Sequence, residues 1–171
     1  MTRVALIGNA AGGKSTLARR LAAVHSLPLH HVDRMQFGPS WSPLPETDVR
    51  RALDAAADES RWIIDGWGPW PTIERRFALA DTLIWIDLPL WVHFWWAAER
   101  QIAAARGAQE RPDGPDDDDP VSRTRQLFET IWAVDQLRPR LAALIERFRA
   151  GREVHHLRTP EALDRFTAAF G

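Results

Sequence analysis

The eight residues Gly8-Asn9-Ala10-Ala11-Gly12-Gly13-Lys14-Ser15 constrain this chain more than any other stretch. They match the pattern G-x-x-x-x-G-K-[ST] in full. The apolar run Val-Ala-Leu-Ile at 4–7 precedes them, and Leu17, Leu21 and Val24 follow at helical spacing. A short continuous apolar run reads as a buried strand of a parallel sheet. Glycines let the turn adopt angles closed to other residues, so that successive N–H groups wrap an anion, and the helix N-terminus adds partial positive charge there. Lys14 is placed to neutralise terminal phosphate oxygens and the Ser15 hydroxyl to ligate Mg²⁺. Nucleotide contacts are expected from Gly8, Asn9, Ala10, Ala11, Gly12, Gly13, Lys14, Ser15 and Thr16. A dinucleotide fingerprint would need glycine where Ala10 stands.

Composition sharpens the reading. Of the 22 basic residues Lys14 alone is lysine, so one position keeps a compact ammonium where the chain otherwise uses planar guanidinium groups. The net charge of −1 lacks the broad positive field of a nucleic-acid-holding protein. With no cysteine, thiolate metal sites, disulfides and cysteine nucleophiles are excluded. No apolar run approaches the ~20 residues needed to cross a bilayer, and a cytoplasmic location is expected. The 171 residues fit one domain, 1–171.

Further strands are expected at 27–32, 62–66, 82–86 and 153–157. Helices are expected at 46–59, after Pro71 through Phe77, at 90–106, from Ser122 toward Phe148 with a break at Pro139, and at 161–170. Residues 37–45 read as a loop. Residues 107–120, with three prolines and the run Asp116–Asp119, read as a loop or flap. Alternating strands and helices give an α/β fold, a parallel sheet with helices on both faces.

In such a sheet ligands bind at the C-terminal strand ends, where Asp33, Asp65 and Asp87 fall. Asp65 is expected as the magnesium-associated acid and Asp33 as the base that takes a proton from an acceptor hydroxyl. Asp87, followed by Leu-Pro, reads as an ordinary turn former. Arg100, Arg106 and Arg111 are candidates to clamp the migrating phosphoryl group, and Arg75 and Arg76 to reach an acceptor. Trp67 and Trp70 are suited to stacking on an acceptor ring or to burial against the sheet. The pairs His30-His31 and His155-His156 cannot chelate, because neighbours on a strand point to opposite faces. On the helix at 90–106, Trp91, Phe94 or Trp95, Ala98 and Ile102 form a core stripe. Trp91, Trp95 and Trp96 make it wider than a core needs, with a partner surface as the other reading.

Along its whole length the chain resembles the P-loop kinases of the adenylate-kinase-like group, and among them the bacterial DNA topology modulation (FlaR-like) proteins. The resemblance rests on Gly8–Ser15, His31-Val32-Asp33 with Trp41 downstream, Trp62–Gly66 and Ala80-Asp81-Thr82 leading into Ile86-Asp87-Leu88-Pro89. Arg111-Pro112-Asp113 and Leu137-Arg138-Pro139-Arg140 add to it. It implies a three-layer, five-stranded sheet of order 2-3-1-4-5 and a lid-like insert at about 107–121. Arg100 and Arg106 would be lid residues on phosphates, Arg76 an acceptor-side or transfer-site arginine, and the loop at Thr159 a neighbour of adenine. Where nucleoside monophosphate kinases carry an acceptor-phosphate arginine, this chain has Trp67-Gly68-Pro69-Trp70-Pro71, next to Gly66. The expected function is transfer of the γ-phosphate of Mg-ATP to a small acceptor, a nucleoside or nucleotide, by a monomer or homodimer. The alternative is a nucleotide-dependent regulatory protein with a protein or DNA partner.

Overall fold

Residues Arg3–Gly8 form the central strand β1, and everything else is arranged on its two sides. The computed structural model describes residues 1–106 and 120–170. After β1 come α1 (Lys14–His25), β2 (Leu29–His31), α2 (Val32–Gln36), a 3₁₀ turn at Pro39–Trp41, α3 (Glu46–Asp58) and β3 (Trp62–Asp65). Then follow α4 (Trp70–Leu79), β4 (Thr82–Ile86), α5 (Leu90–Ala105), α6 (Pro120–Gln136), α7 (Arg138–Phe148), β5 (Glu153–Leu157) and α8 (Pro160–Ala168). All five strands are parallel, in the order β2-β3-β1-β4-β5.

Alternation along the strands splits the core in two. Ala5 and Ile7 of β1, with Trp62, Ile64, Leu83 and Trp85, face one side, where Leu53 of α3, Phe77 of α4 and Leu141 of α7 cover them. Val4 and Leu6, with Ile63, Ile84 and Ile86, face the other, against Leu17 and Leu21 of α1, Val92 of α5 and Leu163 of α8. Each such fully buried aliphatic side chain contributes roughly 1.5–3 kcal/mol relative to exposure. Both layers are needed because β1, β3 and β4 are buried on both faces.

The sequence places β4 and β5 at their observed limits, whereas β2 is shorter than expected. His31 pairs with Asp65, the last residue of β3, so beyond it no ladder partner exists and the chain turns into α2 at Val32. Asp33 therefore lies in the first turn of a short helix, where a carboxylate is favoured by the exposed N–H groups. The expected break near Pro139 falls at Leu137, with Pro139 in the first turn of α7, where its missing N–H costs nothing. Most of the lid-like insert expected at about 107–121, with Arg111, lies outside the described residues. Among the described residues no helix is long and apolar enough to cross a membrane.

At the opposite sheet edge Asp81 ties the start of β1 to the start of β4. It accepts from the Thr2 N–H (2.8 Å), the Thr2 hydroxyl (2.5 Å), the Arg3 N–H (2.9 Å) and the Thr82 hydroxyl (2.6 Å). Partial burial works to raise its pKa, but these hydrogen bonds from Thr2, Thr82 and Arg3 outweigh it and hold the group at about 2. A depressed carboxylate stabilises the fold above its unfolded pKa of about 3.9 and loses that contribution as pH falls toward 2. The stability gap between wild type and Asp81→Asn, read from urea midpoints, should be constant above pH about 4 and shrink toward zero near pH 2. A gap independent of pH across that window would contradict the assignment.

Candidate active site

Between β1 and α1 the chain makes a turn that passes twice through left-handed backbone. Gly13 caps α1 in the left-handed region (φ 79°), and Ala11 is also left-handed (φ 54°), uncommon for a residue with a side chain. Gly8 lies in register with Ile86, and a Cβ there would overlap the Ile86 carbonyl oxygen. The turn's carbonyls are captured one after another. Trp67 Nε1 donates to Gly8 O (2.8 Å), Lys14 Nζ to Asn9 O (2.7 Å), and the His93 ring, through Nδ1, to Ala10 O (2.8 Å). The Asn9 side chain braces the turn. It donates to Ile131 O of α6 (2.8 Å) and accepts from the Ala10 N–H (2.7 Å). Thr16 is exposed in the first turn of α1.

The strand-end acids converge on this turn. The Ser15 hydroxyl donates to Asp65 Oδ2 (2.8 Å), although the two residues are 50 positions apart. His31 Nδ1 reaches the same oxygen at 3.1 Å. Asp65 is 3% exposed, and its other oxygen, Oδ1, is buried with no hydrogen-bond partner among the described residues. An orphaned anionic oxygen beside a hydroxyl suits a hard divalent cation that takes one or two protein oxygens and fills its shell from phosphate and water. The donor set fits magnesium. Asp33 keeps a face open to solvent, yet protein atoms crowd its carboxyl, and that desolvation raises its pKa above the usual 3.8. Lys14 opposes the rise, Asp65 adds to it and His31 opposes it. Lys14, Asp65 and Asp33 therefore share one electrostatic neighbourhood.

Arg76 corrects the expectation of an acceptor-facing arginine. It is 1% exposed, inside α4, and its guanidinium donates to the carbonyls of Thr72 (3.3 Å), Gly66 (3.1 Å) and Trp67. Burial lowers its pKa to about 10, against the pull of nearby Asp65. It supports the Gly66–Trp67 turn from below. That turn runs through positive φ at Gly66 (122°) and Gly68 (92°), and a Cβ at either would press on Val32 or Leu53 as well. Arg75 bridges Asp54 (3.3 Å) and Asp58 of α3, also away from the cleft. Trp67 meets Trp70 edge-on (5.8 Å), and Trp70 carries the Arg140 guanidinium over its ring at 3.8 Å.

Asp87 is more than a turn former. Arg138 at the start of α7 forks onto it (2.6 and 2.9 Å), and His156 of β5 adds a contact at 2.7 Å while stacking on Trp85. A cavity of about 20 Å³, room for a single water, lies between this cluster and the phosphate turn. His30 meets Glu59 and His155 meets Glu153, so the adjacent histidines do diverge. Thr159 caps α8 by accepting from the Ala162 N–H (3.1 Å). Arg100 lies half-buried along α5 and Arg106 exposed at its end.

The stripe on α5 is out of phase with expectation. Val92, His93 and Ala97 are buried and Trp96 packs on the core, while Trp91 (68%) and Trp95 (61%) face outward. The helix begins apolar on every side, so periodicity alone does not reveal which face is inside. His93, a polar residue within that apolar run, was the available signal for a site contact.

No family model and no curated protein matches the sequence. Solved structures share its architecture. A shikimate kinase from Acinetobacter baumannii, in complex with shikimate, matches with TM-score 0.53 at 12% identity, over 99% of this chain and 93% of that one. A shikimate kinase from Bacteroides thetaiotaomicron gives 0.51 at 16% identity, over 98% and 92%. An uncharacterized protein from Eubacterium ventriosum gives 0.54 at 12% identity, over 99% and 95%. The fold is that of the P-loop kinases.

Replacing Arg76 by Met would leave the Gly66 and Trp67 carbonyls without their donor. Arg76→Met should lose about 2–4 kcal/mol in denaturant unfolding, with Arg75→Met within about 1 kcal/mol of wild type. Equal effects would show that Arg76 does not hold the turn.

Proposed function

We propose that the protein is a small-molecule kinase that transfers the γ-phosphate of Mg-ATP to a hydroxyl of a nucleoside or nucleotide. The observation that carries this reading is the contact of Ser15 with Asp65 beside the left-handed Gly8–Ser15 turn, with an unpartnered carboxylate oxygen left over. Backbone N–H groups of the turn bind the phosphates, and Lys14 exchanges the Asn9 carbonyl for phosphate oxygens. Ser15 and Asp65 would hold magnesium, which neutralises phosphate charge when bound. In this reading Arg100 and Arg106 close on the migrating group, and the Thr159 loop on the base. Asp33 orients the acceptor hydroxyl and accepts its proton. A nucleoside is favoured over a monophosphate, since Arg76 is turned onto carbonyls.

A raised pKa on the base sets the acid limb of the reaction. Asp33 works deprotonated, so kcat/KM should rise with pH through a value above the ordinary 3.8 of aspartate, and Asp33→Asn should lower kcat about 10²–10⁴-fold and erase that limb. A retained limb in the variant assigns it to another group.

The reading itself is tested by ADP formation with nucleosides, monophosphates and small polyols as acceptors. Acceptor-stimulated turnover is expected, and its absence with every acceptor counts against a kinase. Lys14→Ala and Lys14→Arg should each lower turnover about 100-fold or more, since a planar guanidinium does not replace the ammonium. Exposed Trp91 and Trp95 favour a second reading, a regulatory NTPase with a protein partner. Hydrolysis independent of acceptor and raised by a partner would select it.

A further inference from the structure

We infer that His93 is a positioning residue for the nucleotide phosphates: by holding the Ala10 carbonyl, it aims the Ala11 N–H into the anion site. The inference rests on the phosphate-binding reading of the Gly8–Ser15 turn.

A trans peptide is a rigid plane in which the carbonyl oxygen and the following N–H point in opposite directions. Whatever fixes Ala10 O therefore fixes the Ala11 N–H. His93 does so from the first turn of α5, 83 residues away, at 2.8 Å. Because a carbonyl only accepts, Nδ1 carries the proton. The ring is 1% exposed and sits directly under the turn, where a Cβ on Gly12 would come within 2.8 Å of its Cε1. Gly12 is thus the residue that lets the ring approach.

The neighbouring carbonyls show why this matters. Gly8 O is held by Trp67, Asn9 O by Lys14, and Ala10 O by His93. Lys14 is the donor that must leave when phosphate arrives, which frees one of the three carbonyls. Trp67 and His93 then remain to keep the other two oxygens turned from the anion. Ala11 is left-handed at φ 54°, a conformation uncommon for a residue with a side chain, which persists where its surroundings hold it. Burial lowers the pKa of the ring and Lys14 lowers it further, opposed by the carbonyls of Ala10 and Leu88 and by Asp135.

The test compares side chains that do and do not place a donor at Nδ1. ATP affinity is measured by calorimetry, and the Tm of the free protein is recorded for each variant. His93→Asn keeps an amide N–H close to Nδ1 and should bind ATP within about threefold of wild type. His93→Leu should bind about 10–100-fold more weakly, the worth of a hydrogen bond serving a charged group. His93→Gln, whose amide falls nearer Nε2, should behave like Leu, and it decides the matter if the Leu variant fails to fold. Weakened binding in Leu and Gln with rescue in Asn, irrespective of Tm, supports the inference. Equal affinity across folded variants, or an Asn variant as weak as Gln, overturns it while leaving the kinase reading intact. A wild-type protein that binds no ATP overturns both.

Discussion

A turn that receives an anion must present amide hydrogens and hide carbonyl oxygens, and much of this molecule serves that requirement. Three carbonyls in succession are taken by donors from three places: the β3–α4 turn, α1 and α5. The Asn9 side chain adds a fourth tie, to α6. Helices on either side of residues 107–119 are thus each hydrogen-bonded to the same few residues of the turn. The sheet supplies the rigid base, since Gly8 lies against Ile86 with no space for a methyl group.

Charge is balanced around the turn with equal care. A buried carboxylate is costly unless opposite charge or donors accompany it. Asp65 has the Ser15 hydroxyl and His31 in contact, and the buried guanidinium of Arg76 close enough to act on it through space. Arg76 in turn meets three backbone carbonyls, so its own burial is compensated. One arginine therefore shapes the Gly66–Trp67 turn and acts on the charge of Asp65.

What the sequence made legible follows from how local each signal was. The phosphate turn and β4 were legible because motif and apolar run are contiguous, and the convergence of Ser15 and Asp65 followed from the rule that strand ends share an edge. The role of Arg76 was not legible, since a guanidinium on carbonyls and one on a substrate look alike in a sequence. The phase of α5 was hidden by a run apolar on all sides. Asp87 was undervalued because its partners, Arg138 and His156, lie 51 and 69 positions onward. The end of β2 depended on where β3 stops, a fact of pairing rather than of residues 29–33 themselves.

The long reach of Asp87 also bears on how the chain assembles. As synthesis proceeds from the N-terminus, β4 is complete well before its closing carboxylate meets Arg138 or His156. Until Arg138 and His156 have left the ribosome, an acidic group stands uncompensated at the rim of a half-built sheet, with the strand edge of β4 bare beside it. Arg138 on α7 brings the compensating charge, and β5 then covers the bare edge and adds His156, so the rim and the sheet are completed in succession.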